Sequence, residues 1–370
     1  MKFILTFLFC CMASLLIAQK QSYLLVGTYT GGKSKGISVY RFNSENGETT
    51  FVETAETTNP SYLAVSPDQQ FVYAVNELGN AKGGGKVTAF RFDKKIGHLT
   101  ELNQQLSMGE DPCYIIVDKT GRWVIVGNYS SGTLAVLPVE KNGQLDKAST
   151  VIRHTGHGPT DRQKSPHVHS TVLSPNNRFL YVSDLGTDKL MIYAFDAKSG
   201  QLTPEDTTLK LAAGSGPRHF IFHPNGKWAY LVQELSGNVT VFQYNNGKLS
   251  PQQTVSTLPA GFAKPFTAAD ILISPDGKFL YTSVRDEANL LSIFSINPST
   301  GQLTLKGHQS VLGKTPRNFN FDPSGNFLLV ANQNSDDVVV FKVNRKTGAL
   351  SDTGKRIEVG NPVYLKWITE

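Results

Sequence analysis

The chain has 370 residues, of which 39% are hydrophobic and 18% charged, with a formal net charge of +6 and three cysteines. Its lysines and arginines are scattered among acids, with no basic stripe or block, which argues against a nucleic-acid partner. Such a length ordinarily divides into two or more domains, but internal repeats override that expectation.

The chain opens with Met1-Lys2, an apolar run from Phe3 to Ile17, and Ala18-Gln19-Lys20. One cation, a short apolar core and a small residue before polar sequence predict a secretory signal peptide over residues 1–18, and the run is too short for a stable membrane anchor. A lipoprotein leader built on Cys10 or Cys11 is disfavoured, because Phe9 stands where a small residue is needed. Export to the periplasm or medium is therefore expected, with residues 19–370 as one domain free of the membrane. Cys113 would then be the single remaining thiol, so packing and strand pairing must hold the fold without an internal disulfide.

Residues 23–29, 37–42 and 50–54 alternate as three strands of a sheet that lacks its first member. A repeating phrase follows: Tyr62-Leu63-Ala64-Val65-Ser66-Pro67-Asp68 and then Phe71 to Asn76, with further copies at 171–183, 220–232, 271–283 and 319–332 and a weaker one at 114–128. Each is a β-hairpin of two alternating strands, and phrases such as Pro-Asp-Gly, Pro-Asn-Gly or Asp-Lys-Thr-Gly supply the tight turn, where Pro presets φ and Gly takes positive φ. A third strand comes next, as at 87–92, 190–195, 239–244, 291–296 and 338–343. A fourth opens on Gly-x-Leu, as in Gly97-His98-Leu99 and Gly301-Gln302-Leu303. Four strands at a period of about 50 residues describe propeller blades. Six hairpins make six blades. The seventh combines the N-terminal strands with Asn361 to Trp367 as the missing first strand, which closes the ring and removes open sheet edges. The expected fold is an all-β, seven-bladed β-propeller with four antiparallel strands per blade.

In a propeller the first strand of each blade lines the channel and the second runs back beside it. Residues before first strands and after second strands therefore share one rim. Here that rim gathers Asn59, Asp111, His167, His169, Arg218, His219, Asp270, Arg317, Asn318 and Asn361, with Thr28, Tyr29, Asn76, Glu77, Asn128, Tyr129, Asp184, Glu234, Arg285 and Asn332. The opposite rim carries the Pro-Asp-Gly turns. A concave mouth with convergent histidines, arginines and carboxylates is the place for a small-molecule ligand, although the same side chains could instead tie blades together. Strand alternation predicts that His219 points away from Arg218. His154, His157, His167 and His169 with Asp184 fit no zinc spacing, and neighbouring arginines repel a cation, so neither metal nor other cofactor is expected.

The phrases Val26-Gly27-Thr28-Tyr29-Thr30, Pro166-His167-Val168-His169-Ser170 and Gly216-Pro217-Arg218-His219, with the repeated hairpins, resemble those of the lactonase family of seven-bladed propellers. That family includes one type of bacterial 6-phosphogluconolactonase and the fungal 3-carboxy-cis,cis-muconate lactonising enzyme. The resemblance spans the whole mature chain. It implies His169, Arg218, Glu234 and Arg285 as catalytic residues, with Arg317 open as an alternative second arginine. His167, His219, Asp184, Asn128, Asn76, Asp270, Arg317 and Asn332 are then candidates for substrate contact. A neutral-pH base for water and guanidinium groups for an oxyanion suit lactone opening. No Gly-x-Ser-x-Gly elbow is present, so a covalent acyl intermediate is not expected. Two other readings use the same residues: a carboxy-muconate type cyclase or lyase, and a binding propeller without catalysis.

Overall fold

The computed structural model describes residues 21–369, and the expected signal peptide lies outside them. Seven antiparallel sheets form, each with its innermost strand first in chain order, except that the first blade takes Pro362–Thr369 as its inner strand. There Tyr23 pairs with Ile368 and Val26 with Leu365, so the two ends of the chain share one sheet and the ring is closed as the repeat arithmetic predicts. No α-helix occurs among the described residues; three single-turn 3-10 segments interrupt loops.

Two blades depart from the regular pattern. In the third, Gly143-Gln144-Leu145 forms only a bridge between Val139 and Leu145, and the outer strand is Thr150–Arg153. In the fourth, the outer position is shared by Gln201–Pro204 and Leu209–Lys210, both paired with Lys189–Asp196.

The hairpin turns behave as their residues dictate. Gly121, Gly226, Gly277 and Gly325 adopt φ of 68 to 73°, and Asn177 and Gln69 take the same left-handed position in the two blades that lack the glycine. The Gly of each Gly-x-Leu phrase, and Gly47 at the same place in the first blade, has a second reason to be glycine. An aromatic ring from the preceding blade fills the space of its absent Cβ: Tyr23 at Gly97, Phe71 at Gly143, Trp123 at Gly200, Phe179 at Gly247, Trp228 at Gly301, Phe279 at Gly348 and Phe327 at Gly47. These contacts run once around the ring. Tyr73, Tyr181, Tyr230 and Tyr281 add hydroxyl bonds to the carbonyls of Gly143, Gly247, Gly301 and Gly348. The core itself lies between blades, where apolar faces of adjacent sheets meet, as with Trp228, Val232, Ile271 and Phe294 between the fifth and sixth. Close packing of such clusters, with no disulfide among the described residues, holds the ring rigid and fixes its channel.

Candidate active site

Where the inner strands of the third, fourth, fifth and seventh blades enter the channel, the antiparallel register slips by one residue. Pairing jumps from Pro112 to Tyr114, from Val168 to Ser170, from Pro217 to His219 and from Pro316 to Asn318. Each slip is a β-bulge, two residues opposing one, and its extra residue is re-aimed into the mouth. The extra residues are Cys113, His169, Arg218 and Arg317. The bulge also overturns the expected alternation: Arg218 and His219 lie on the same side, with Arg218 Nη1 3.2 Å from His219 Nε2. Just ahead of the inner strands, Asn59, Asp111, Thr315 and Asn361 sit at φ of 44 to 60°. Asn59, Asp111 and Asn361 thus answer a local backbone need, and this rim too carries turn chemistry.

Glu234 is the hub. Its carboxylate, 3% exposed as a residue, lies 2.8 Å from Arg218 Nε, 2.9 Å from Arg162 Nη2, 3.2 Å from Arg285 Nη2 and 3.8 Å from His169 Nε2. Burial alone would raise its pKa, but Arg285, Arg218 and Arg162 outweigh burial and hold it at about 2. Glu234 is therefore an anion at neutral pH and a poor base. Three guanidiniums on one carboxylate leave positive charge in excess. Arg285 is buried with its Nε unpartnered, its Nη2 donating to the Ala268 carbonyl at 3.3 Å. Burial lowers its pKa to about 10, against the attraction of Glu234, so it stays charged.

His169 is buried between this hub and Cys113, whose Sγ is 3.8 Å from Nδ1. Burial, then the charges of Arg218, His219 and Arg317, push the imidazole well below its usual pKa, so it is neutral with a lone pair to offer. Its neighbour His219 is oriented by Asp270, Nδ1 to Oδ1 at 2.7 Å, and Asp270 is in turn bonded by the Asn318 amide. Burial and Arg218 bring His219 down to about 4 despite that carboxylate. Cys113 is also buried, and burial raises its thiol, which keeps it protonated. The floor below is aromatic: Tyr62 packs on Tyr364 at 3.8 Å and on Tyr114 at 4.3 Å between ring centres.

Across the mouth, Glu77 accepts hydrogen bonds from Tyr29 Oη at 2.8 Å and from Ser61 Oγ, and Arg317 Nη2 lies 3.9 Å away. Arg317 stacks over the Tyr29 ring at 5.3 Å. So Arg285, not Arg317, is the second arginine beside Glu234.

Four residues expected to contact substrate are turned elsewhere. Asn76 donates to Thr57 and Thr58, Asn128 to the Ser107 carbonyl and Thr133, and Asn332 to the Val311 carbonyl and Asp337. Asp184 accepts from the His167 and Gly186 amides and pairs with His154 at 2.8 Å. All four are the last residue of a second strand, and all are buried. The following residue, Glu77, Tyr129 or Arg285 in three of the blades, has the opposite parity and faces the mouth. Gln233 repeats the pattern ahead of Glu234, its amide donating to Thr240. His167 stands at the edge, stacked on Tyr129 at 4.3 Å, and His154 is closed off between Asp184 and Tyr193. The histidines thus go to separate partners. Among the described residues no three metal-ligating side chains converge.

The residue that sequence reasoning missed is Arg162. It comes from the 154–167 connection, the longest between blades, and that length was the available signal.

Fold and mouth together define a seven-bladed β-propeller whose channel opens on a buried, arginine-rich acid–base cluster. The chain belongs to the lactonase family of such propellers: the family described as "Lactonase, 7-bladed beta-propeller" matches residues 23–367. Among its relatives are a 6-phosphogluconolactonase of Bacillus subtilis, 35% identical over 93% of this chain and 97% of that one, and a 6-phosphogluconolactonase of Formosa agariphila, 37% identical over 94% and 99%. The solved structure of a periplasmic gluconolactonase of Pseudomonas aeruginosa is 40% identical and superposes with a TM-score of 0.90, covering 94% of this chain and 99% of its own.

Proposed function

We propose that this protein is an exported lactone hydrolase that opens a sugar-acid lactone at the channel mouth. The observation that carries the reading is a neutral, buried His169 beside a carboxylate on which three guanidiniums converge. In the reaction, His169 Nε2 takes a proton from water as the water oxygen bonds to the lactone carbonyl carbon. The carbonyl oxygen becomes an oxyanion, and the charged Arg285 guanidinium stabilises that charge more than it stabilises the ground state. Glu234 holds the imidazolium formed and orients Arg218. The tetrahedral intermediate collapses, the ring C–O bond breaks, and His169 returns the proton to the leaving oxygen.

The names of the relatives support a sugar-lactone substrate. The leader expected at residues 1–18 and the periplasmic relative in Pseudomonas support export. The test is acid release by the mature protein from sugar lactones, their phosphates and muconolactones. His169→Ala should lower kcat on the best substrate by about two to four orders of magnitude with an unchanged melting transition. A wild type that opens no lactone, or a His169→Ala variant of near-normal kcat, overturns the reading.

A further inference from the structure

Arg162 is built into the mouth in a way that an ordinary surface arginine is not. It sits in the single turn Asp161–Gln163, and the next residue, Gln163, is fully buried. The Gln163 amide donates to the Leu185 carbonyl at 2.8 Å and to Asp188 Oδ1 at 2.7 Å, while Asp188 also accepts from the Gly214 and Gly216 amides. The connection is thereby fastened to the rim of the fourth blade. From that anchor Arg162 reaches Glu234 Oε1 of the fifth blade at 2.9 Å and Tyr129 Oη of the third blade at 3.2 Å, donating to both.

Its exposure differs from that of the arginines beneath it. The Arg162 side chain is 52% exposed, against 2% for Arg218 and 11% for Arg285. Glu234 already holds Arg218 and Arg285, so Arg162 is the one guanidinium of the three that can exchange its partner without leaving a buried charge unpaired. A planar guanidinium facing solvent at the lip suits bidentate capture of a carboxylate or phosphate.

We infer that Arg162 is the specificity residue of this site, exchanging Glu234 for an anionic group at the end of the substrate remote from the lactone ring. The inference rests on the lactone-hydrolase reading and adds the residue that selects the substrate's anion, a phosphate or a carboxylate. When the anion takes the guanidinium, Glu234 is left to the two buried arginines and to His169, which couples occupancy of the lip to the acid–base pair below.

The experiment compares hydrolysis of gluconolactone, 6-phosphogluconolactone and a glucarolactone by wild type, Arg162→Ala and Arg162→Lys. Arg345→Ala, an exposed arginine on the far rim, is the charge-matched control. In Arg162→Ala the preference in kcat/KM for the anionic over the neutral lactone should fall by about tenfold or more, chiefly through KM, with partial rescue in Arg162→Lys and no change in Arg345→Ala. Which anionic lactone loses more identifies phosphate or carboxylate as the natural anion. Calorimetric binding of 6-phosphogluconate and glucarate gives a readout independent of turnover: wild type should bind one of them and Arg162→Ala should bind it at least about tenfold more weakly. An unchanged preference overturns the inference, as does equal loss on neutral and anionic lactones, or a wild type that binds neither acid. Absence of turnover with intact, Arg162-dependent acid binding overturns only the hydrolase reading.

Discussion

Glu77 and Glu234 occupy the same place in their blades, one residue past the second strand, yet they do different things. Glu234 meets three guanidiniums and an imidazole within 3.8 Å. Glu77 is satisfied by two hydroxyls, those of Tyr29 and Ser61, and its nearest guanidinium stands 3.9 Å off. The difference comes from the neighbours. In the fifth blade the bulge residue is Arg218, which reaches the Glu234 of its own blade. In the second blade the corresponding position is Ser61, and the bulge arginine of the seventh blade, Arg317, has to approach Glu77 from outside that blade. One backbone position thus hosts an acid–base hub on one side of the mouth and a hydrogen-bonded strut on the other.

Neutralising the two carboxylates should break this comparison most sharply. Glu234→Gln leaves the fully buried Arg218 charge uncompensated and should cost about 3–5 kcal/mol in denaturant unfolding. Glu77→Gln keeps an acceptor for Tyr29 and should cost about 1 kcal/mol. Equal losses would mean that the hub carries no special electrostatic load.

Acid should weaken the hub side next. His219 has a folded pKa of about 4 against an ordinary 6.5, so between those values the unfolded chain binds the proton and the folded one does not. Stability therefore rises with pH across this window and is lost as pH falls from 6.5 towards 4, by about 3 kcal/mol for His219 alone. His169, lowered in the same direction, adds to it. His219→Gln should flatten the pH dependence of the unfolding midpoint between pH 7 and 4.5; a slope identical to that of wild type would place the acid sensitivity elsewhere.

The smallest expected effect separates the strand-end amides from the site. Asn128→Ala removes buried bonds to the Ser107 carbonyl and Thr133 and should cost about 1–2 kcal/mol while leaving kcat and KM on any turned-over lactone unchanged. A raised KM with unaltered stability would return Asn128 to the binding surface.

That His169, Arg218 and Glu234 converge on one mouth was legible because each stands at a fixed offset from a recognisable strand. The resemblance of Pro-His-Val-His and Pro-Arg-His to family phrases pointed to the same residues. Asn76, Asn128, Asp184 and Asn332 were read with them because proximity to a rim does not say which way a side chain faces. Parity at the end of the second strand does say so, and it divides Asn76 from Glu77 and Asn128 from Tyr129. His219 was misjudged for the opposite reason: simple parity fails where a bulge inserts a residue, and nothing in Gly216-Pro217-Arg218-His219 announces the bulge.

The sequence by itself determined the blade, the number of blades and the closure of the ring. Those follow from local periods of two, from turn residues with one permitted backbone geometry, and from a repeat that leaves three strands over at the start of the chain and one at its end. The Gly-x-Leu phrase was visible as well, though its reason, an aromatic ring of the preceding blade in place of a Cβ, is a contact across more than a whole blade of chain. Only the tertiary structure decided that Arg285 rather than Arg317 joins Glu234, that His219 lies beside Arg218, and that Arg162 bridges from its connection to the hub. Each depends on distances between blades remote in sequence or on a one-residue slip in register. Side-chain charge acts through space within a few ångströms, whereas sequence spacing measures only distance along the chain.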